Sequence, residues 1–261
     1  MRLKLSKIFL LFFLLLTLVF CIWLWVFCHN PMHFRIQQVH IDGPLNFVSD
    51  QTVQTAVMPY VNHGFFNISV DSVVKDLQVL PGVASVSVRR VFPDKVWIHI
   101  QEVTPVAFNG PEEESLVDQQ GNIFTPELFN HTSGLPIFVG PIDQMKAMVD
   151  FYKKIKNPMQ TAGLQIKEIN LDALGQWEVL TLNGLEIDCG QQDALSRLTD
   201  FLTAYPSVLA QHKAEMQMQV KTKKKYHSHR GVDTASDLAL LKKADLRYDN
   251  GFALQWNNTD G

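Results

Sequence analysis

Apolar and polar residues alternate on both sides of a short turn across residues 86–100, which read Val86-Ser87-Val88-Arg89-Arg90-Val91-Phe92-Pro93-Asp94-Lys95-Val96-Trp97-Ile98-His99-Ile100. A period of two places successive side chains on opposite faces of an extended chain. The pattern therefore predicts two consecutive β-strands. The Phe92-Pro93-Asp94-Lys95 segment supplies the turn between them.

Two amphipathic helices are predicted immediately before these strands. Ser49 and Ser69 each stand at the start of a run with apolar residues at helical spacing, which is typical of helix N-caps. Pro81-Gly82 ends the second helix. A short strand within residues 34–41 precedes both helices. Residues 34–108 are therefore predicted to form one α+β unit with the order β-α-α-β-β.

The N-terminus carries an uncharged apolar run at residues 8–28. A helix of that length is about 31 Å long and matches a hydrocarbon core of about 30 Å. No small-residue cleavage site follows the run, so we expect a retained membrane anchor in place of a signal peptide. The basic residues of the tail at residues 1–7 predict that this end is cytoplasmic. In a bacterium the outer part would lie in the periplasm.

The second half of the outer part, residues 109–256, shows mainly strand-like patterns and two amphipathic helices. We expect a mainly antiparallel β domain with flanking helices, which makes the whole chain α+β. Residues 211–236 are rich in basic residues and poor in large aliphatic ones. This segment is predicted to be a flexible basic insertion, and the alternative is a patch that contacts lipid or a partner.

Composition and motifs favour a binding role over catalysis. The chain of 261 residues has a net charge of −3 and 46% hydrophobic residues, which argues against nucleic-acid binding and against disorder. The motifs of serine hydrolases, zinc proteases, redox dithiols and nucleotide-binding loops are all absent from the sequence. His227 and His229 have no further ligands at a metal-binding spacing, so neither a metal nor another cofactor is expected. Cys189 is predicted to be a buried thiol.

Three groups of motifs, in order after the anchor, resemble a known family. Residues 86–107 resemble a POTRA domain. Residues 116–124, and Gly190-Gln191-Gln192-Asp193 with Arg197, resemble the second domain of the bacterial cell-division family FtsQ. The C-terminal stretch at residues 245–256 is the closest match. One departure is the absence of a typical arginine just before Trp177.

The resemblance implies a non-catalytic scaffold of the division machinery, held in the inner membrane at the septum. Such proteins bind FtsB and FtsL and link early cytoplasmic to late periplasmic division proteins. The recruitment surface of the POTRA domain, which includes contact with FtsK, would fall on Ser85, Val88 and Arg90. The FtsB-binding site would fall on the C-terminal strands, at Tyr248, Asn250, Phe252, Leu254 and Trp256.

The residues themselves predict a C-terminal hairpin with a three-residue loop at Asp249-Asn250-Gly251. That loop places the large apolar side chains on one face by pairing Tyr248 with Phe252, Leu246 with Leu254, and Ala244 with Trp256. The final strand would then be a sheet edge that a strand of FtsB extends. The alternative is that this face only packs on the helices of its own domain.

Two other functions remain open from the sequence. A POTRA unit also serves in outer-membrane protein assembly, although residues 109–256 are too few for the barrel of such proteins. A membrane-anchored periplasmic enzyme of the cell wall is the second alternative.

Overall fold

The computed structural model describes residues 2–29, 34–226, 241–248 and 251–256. It begins with helix α1, Arg2–His29. Within α1, residues Phe9–Phe27 have a mean hydropathy of 2.8 and are long and apolar enough to cross a membrane. This helix fits the predicted membrane anchor.

The first unit has the predicted order of elements. Strand β1 (Gln38–Asp42) is followed by helices α2 (Asp50–Val61) and α3 (Val70–Gln78) and by strands β2 (Val83–Val91) and β3 (Lys95–Glu102). The sheet order is β1-β3-β2, with β1 parallel and β2 antiparallel to the central strand. Strand β2 therefore lies at one edge of this sheet.

Both helices of the first unit begin at the serines predicted as caps. The Ser49 hydroxyl accepts a hydrogen bond from the Thr52 N–H at 3.1 Å. The Ser69 hydroxyl accepts one from the Ser72 N–H in the same way. The apolar faces of the helices and of β3 then form one core. Its fully buried members include Val53, Val57, Val73, Leu77, Val96, Ile98 and Ile100.

A carboxylate at the end of β3 fixes the chain that enters α2. Glu102 accepts backbone N–H bonds from Asn46 at 2.7 Å, Phe47 at 2.8 Å and Val48 at 3.2 Å. Residues 126–131, which come much later in the sequence, also belong to this unit. Glu127 of that segment accepts hydrogen bonds from the Ser49 N–H and the Thr52 hydroxyl, and these bonds lower the pKa of Glu127.

The second unit is built on a nine-stranded sheet in the order β12-β11-β10-β9-β8-β7-β4-β5-β6. Its strands are β4 (Pro105–Asn109), β5 (Leu116–Asp118), β6 (Ile123–Phe124), β7 (Ile137–Val139), β8 (Ile166–Leu171), β9 (Trp177–Thr181), β10 (Glu186–Gly190), β11 (Leu241–Asp245) and β12 (Ala253–Trp256). Most neighbouring strands are antiparallel.

The boundary between the units falls earlier than the predicted position between residues 108 and 109. Strand β4 pairs with β5 and β7, so its residues belong to the second unit, and the division lies between Val103 and Thr104. The sequence pattern missed this because Pro105-Val106-Ala107 continues the apolar character of β3.

Two helices pack on the large sheet, α4 (Met145–Thr161) and α5 (Ala194–Tyr226). Buried residues of both helices share a core with the strands, among them Met148, Ile155, Leu198 and Phe201. The prediction of a flexible loop from residue 211 is wrong for residues 211–226, which continue α5. This segment is rich in Gln, Met and Lys, which have high intrinsic helix propensity. Residues 227–236 lie outside the described residues.

We predict that Glu102→Gln destabilises the first unit locally by about 2 kcal/mol, because three backbone donors lose a charged acceptor. Hydrogen exchange of the full chain should show faster exchange at the Asn46, Phe47 and Val48 amides. Glu114→Gln, at an exposed position, is the matched control. Unchanged protection of the three amides in Glu102→Gln would contradict this role.

Candidate partner-binding site

The last described strand forms one edge of the large sheet. Strand β12 pairs with β11 on one side, and no other described strand pairs with it. An unpaired edge exposes a row of backbone donors and acceptors that can receive another strand. Its burial alternates, since Ala253 and Gln255 are exposed whereas Leu254 and Trp256 are half-buried.

The predicted register of the C-terminal hairpin is wrong. Ala244 lies opposite Leu254 rather than Trp256, and Asp245 lies opposite Ala253. Trp256 lies opposite Leu241, across an irregularity in the pairing. Because the shift amounts to two residues, the side chains of β12 keep their predicted faces. Leu246 and Tyr248 belong to a wider connection instead of the paired strands.

The wide connection begins where the Arg247 side chain folds back on its own strand. The guanidinium contacts Asp245 at 2.7 Å and Asp188 of β10 at 3.2 Å. The Arg247 N–H also donates to an Asp245 carboxylate oxygen at 3.1 Å. These bonds lower the pKa of Asp245 and raise the pKa of Arg247. We call these three residues the Arg247 cluster.

A glycine makes room for this cluster. Gly190 ends β10 with a φ of 73°, in the left-handed region. A Cβ at this position would lie 3.0 Å from the Cγ of Arg247. Any larger residue would therefore be strained and would also push the Arg247 side chain from its place. This contact gives a structural reason for Gly190, the first residue of the Gly190-Gln191-Gln192-Asp193 motif.

Aromatic contacts attach the edge strand to helix α5. Phe252 meets Phe201 edge to face, with ring centroids 5.4 Å apart. The Trp256 indole stacks on the His212 ring at 3.6 Å, with 10° between the planes. This face therefore packs on its own helix, whereas no other described strand pairs with the outer side of β12, and binding of a partner strand there stays a prediction.

The predicted partner-binding residues occupy different environments. Tyr248 is 59% exposed, which leaves its ring available for contact. Phe252, Leu254 and Trp256 are half-buried on the core side of β12. Asn250 lies outside the described residues.

Sequence reasoning missed His212 because it assigned residue 211 onward to a loop. The spacing of Tyr205, Leu209 and His212 continues the helical stripe of α5 and could have revealed the contact.

The predicted recruitment residues lie on the edge strand β2 of the first unit. Ser85 is exposed and donates to the Gln101 side chain at 3.1 Å. Arg90 is exposed and donates to the Phe66 carbonyl at 3.3 Å. Val88 is half-buried and packs against the core of the first unit. The strand edge and Ser85 remain accessible.

Among the described residues, no group of three or more His, Cys, Asp or Glu side chains is placed to hold a metal ion. His227 and His229 lie outside those residues. Cys189 is fully buried, as predicted, and burial raises its thiol pKa to about 12, which keeps it protonated and unreactive at neutral pH.

Comparison with known proteins agrees with these two units. The family model of the FtsQ-type POTRA domain matches residues 34–102, and that of the C-terminal region of the cell division protein FtsQ/DivIB matches residues 107–233.

Similar proteins, each named cell division protein FtsQ, occur in several bacteria. That of Methylomonas methanica is 24% identical over 85% of this chain and 78% of its own length. That of Neisseria meningitidis is 26% identical over 88% and 86%, and that of Burkholderia pseudomallei is 26% identical over 98% and 91%.

The fold and the matched regions define a protein in which a POTRA domain is followed by a β domain. Its N-terminal apolar helix fits a membrane anchor. The order and extent of the matches are those of one kind of division protein. The chain belongs to the FtsQ family of bacterial cell division proteins.

The Arg247 cluster should make the hairpin sensitive to acid. Because the pKa of folded Asp245 is lowered, its contribution is complete above the ordinary aspartate value of about 3.9 and is lost as the pH falls through the folded pKa. We predict that Asp245→Asn lowers the protection of the Leu246 amide at neutral pH, by about 1 kcal/mol or less for this half-exposed pair. In Asp245→Asn, the protection of the Leu246 amide should not fall further when the pH is lowered.

Hydrogen-exchange protection factors of the full chain between neutral and acid pH would measure this effect. Asp200→Asn, at an exposed position of α5, is the matched control. An acid-dependent loss of protection that persists in Asp245→Asn would assign the sensitivity to another group.

Proposed function

We propose that this protein is a non-catalytic scaffold of the division machinery that binds FtsB and FtsL through the edge of its large sheet. The observation that carries the proposal is the position of β12, a short edge strand with an aromatic face and an open backbone. Its relatives share the name of a division protein. The binding of FtsB and FtsL is our inference from the resemblance and from this edge.

The geometry supports binding by strand addition. A segment of FtsB would pair with the free backbone of β12, and this pairing would supply affinity with little dependence on sequence. Specificity would come from side chains at the rim, where Tyr248 is exposed and Trp256 is half-buried. Tyrosine and tryptophan are the residues that most often dominate binding energy at interfaces.

The charge of the tail gives the orientation that we propose. Arg2, Lys4 and Lys7 precede the apolar helix, so the N-terminus would remain in the cytoplasm and both folded units would lie in the periplasm. The protein would then link early cytoplasmic to late periplasmic division proteins at the septum.

The first unit would supply septal recruitment. Strand β2 is an edge strand, and Ser85 on it is exposed. We propose that partners such as FtsK contact this edge, with Ser85 and Arg90 at the surface and Val88 holding the strand on the core.

Trp256→Ala is predicted to weaken FtsB–FtsL binding by at least about 2 kcal/mol, the usual threshold for a dominant interface residue. Trp256→Phe should lose less, since a phenyl ring can still stack on His212. Titration of the full chain with the FtsB–FtsL complex would measure both. Leu174→Ala, at a 70% exposed position of another turn, is the control.

Thermal unfolding of the same variants separates binding from folding. We expect the midpoint of Trp256→Ala to change little, because its ring is half-buried at the edge. A loss of stability equal to the loss of binding would make Trp256 a core residue. It would contradict the proposal that β12 binds the partner.

Ser85→Asp is predicted to disperse the septal fluorescence of a tagged protein, because charge on an edge strand opposes strand addition. Gln38→Asp is the matched control, since Gln38 is exposed on β1 at the opposite edge of the same sheet. Protein levels should remain equal. Normal septal bands in Ser85→Asp would show that the edge of β2 does not recruit the protein.

A further inference from the structure

Aromatic rings connect the end of the apolar helix to the first unit. Trp23 stacks on Phe27 in the last turns of α1, with ring centroids 5.5 Å apart. Phe27, the last residue of the apolar span, meets Phe34 edge to face at 6.1 Å. Phe34 in turn meets Phe66 edge to face at 5.1 Å. The ring contacts therefore continue from the span to the connection between α2 and α3.

Three segments of the first unit meet at this end. The Phe34 carbonyl, in the segment that enters β1, accepts a hydrogen bond from the Phe65 N–H at 2.8 Å. The Gln37 N–H donates to the Asp94 carbonyl, in the turn between β2 and β3, at 2.9 Å. Phe65 also meets Phe92 of that turn edge to face, with ring centroids 6.0 Å apart. We call residues 34–37, 64–67 and 90–95 the aromatic end of the first unit.

The sequence keeps the aromatic end close to the point where the apolar helix stops. Phe34 follows His29, the last residue of α1, by five positions. A chain of that length spans at most about 18 Å when it is fully extended. The ring contact of Phe34 with Phe27 brings the aromatic end directly to the level at which the apolar span ends.

The aromatic end leaves large apolar rings at its surface. Phe92 is 68% exposed, and Phe66 is exposed as well. Such rings gain free energy by leaving water. The boundary between headgroups and acyl chains of a bilayer accepts apolar side chains to a depth of about 5–10 Å. The rings therefore fit the membrane interface next to which the helix holds them.

Basic side chains accompany the exposed rings. Arg35, Arg90 and Lys95 are exposed, and Asp94 is the only acid in the sequence of the aromatic end. Arg90 donates to the Phe66 carbonyl at 3.3 Å, which holds its guanidinium beside the rings. Cationic side chains next to apolar ones are typical of surfaces that bind anionic lipids. The charge of this end is therefore complementary to that of an anionic bilayer.

We propose that the aromatic end of the first unit rests in the interface of the membrane that α1 spans. Phe66 and Phe92 enter the interface, and the basic side chains face anionic headgroups. This inference needs the anchor but not the binding of FtsB or FtsL. The start of β1, the start of β3 and the end of β2 all lie at the aromatic end. Docking there would leave both edges of the sheet accessible to partners.

The test measures how deeply residue 92 lies in the bilayer. The full chain with Cys21→Ser and Cys28→Ser is placed in nanodiscs and carries a nitroxide at Phe92→Cys. Cys189 is buried, so the label should not react there. The access of dissolved oxygen and of a water-soluble nickel chelate to the nitroxide reports its depth.

Val79→Cys in the same background is the matched control. Val79 is 79% exposed and lies between α3 and β2, at the opposite end of the sheet from the turn that contains Phe92. Both side chains are largely exposed, so the labelled chains should unfold at the same temperature as the unlabelled one.

In bilayers that contain phosphatidylglycerol, we expect the label at residue 92 to lie about 5–10 Å below the phosphates and the label at residue 79 to lie in water. Equal access of the nickel chelate at both positions would overturn the proposal. Shielding of residue 92 from both reagents would place protein there, such as a second copy of the chain, and would also overturn it. A chain that does not enter nanodiscs would overturn the anchor and the docking together.

A charge variant tests the basic side chains with the label kept at residue 92. Lys95→Glu should move the label toward water in phosphatidylglycerol bilayers at low salt. The shift should shrink at high salt, where the screening length falls to about 3 Å. Lys75→Glu, at an exposed position of α3, changes the net charge equally and should leave the depth unchanged. Equal depths in the two variants would overturn the role of the basic side chains.

Discussion

The parallel pairing of β11 with β10 is the constraint on which the second unit depends. Parallel neighbours cannot be joined by a tight turn and need a long crossover, which commonly contains a helix. Helix α5 lies in that crossover, between β10 and β11. The pairing continues past the strand, since the Leu246 N–H donates to the Asp188 carbonyl at 2.8 Å. Once β11 is fixed beside β10, the antiparallel β12 can only lie outside it, at the edge of the sheet.

An edge strand that receives a partner strand needs a free backbone and a fixed position. Two sets of contacts hold β12 in position. The Arg247 cluster holds the connection between β11 and β12, and Gly190 leaves the space for it. The stack of Trp256 on His212 holds the far end of β12. The strand itself is only four residues long, which is one of the ways in which proteins limit unwanted pairing at an exposed edge.

Periodicity predicted the fold well where side chains alternate between core and solvent. The Ser49 and Ser69 caps, the order of the first unit and most strands of the second follow from local patterns. The hairpin register did not follow, because Arg247 turns back through ion pairs to Asp188, a residue far away in the sequence. The extent of α5 was missed because the sequence of its last turns shows no apolar stripe. The faces of β12 survived both errors, since a shift of two residues preserves alternation.

The attachment of Glu127 to the cap of α2 has a consequence for how such a chain can evolve. Sequence comparison treats the two units as successive blocks, with one boundary near residue 103. Yet the residue that accepts the Ser49 N–H and the Thr52 hydroxyl is encoded more than twenty positions beyond that boundary. A single recombination event between relatives at the boundary would separate this acceptor from its donors. The first unit is therefore inherited intact only when the loop at residues 126–131 travels with it, which makes the two blocks less interchangeable than their order implies.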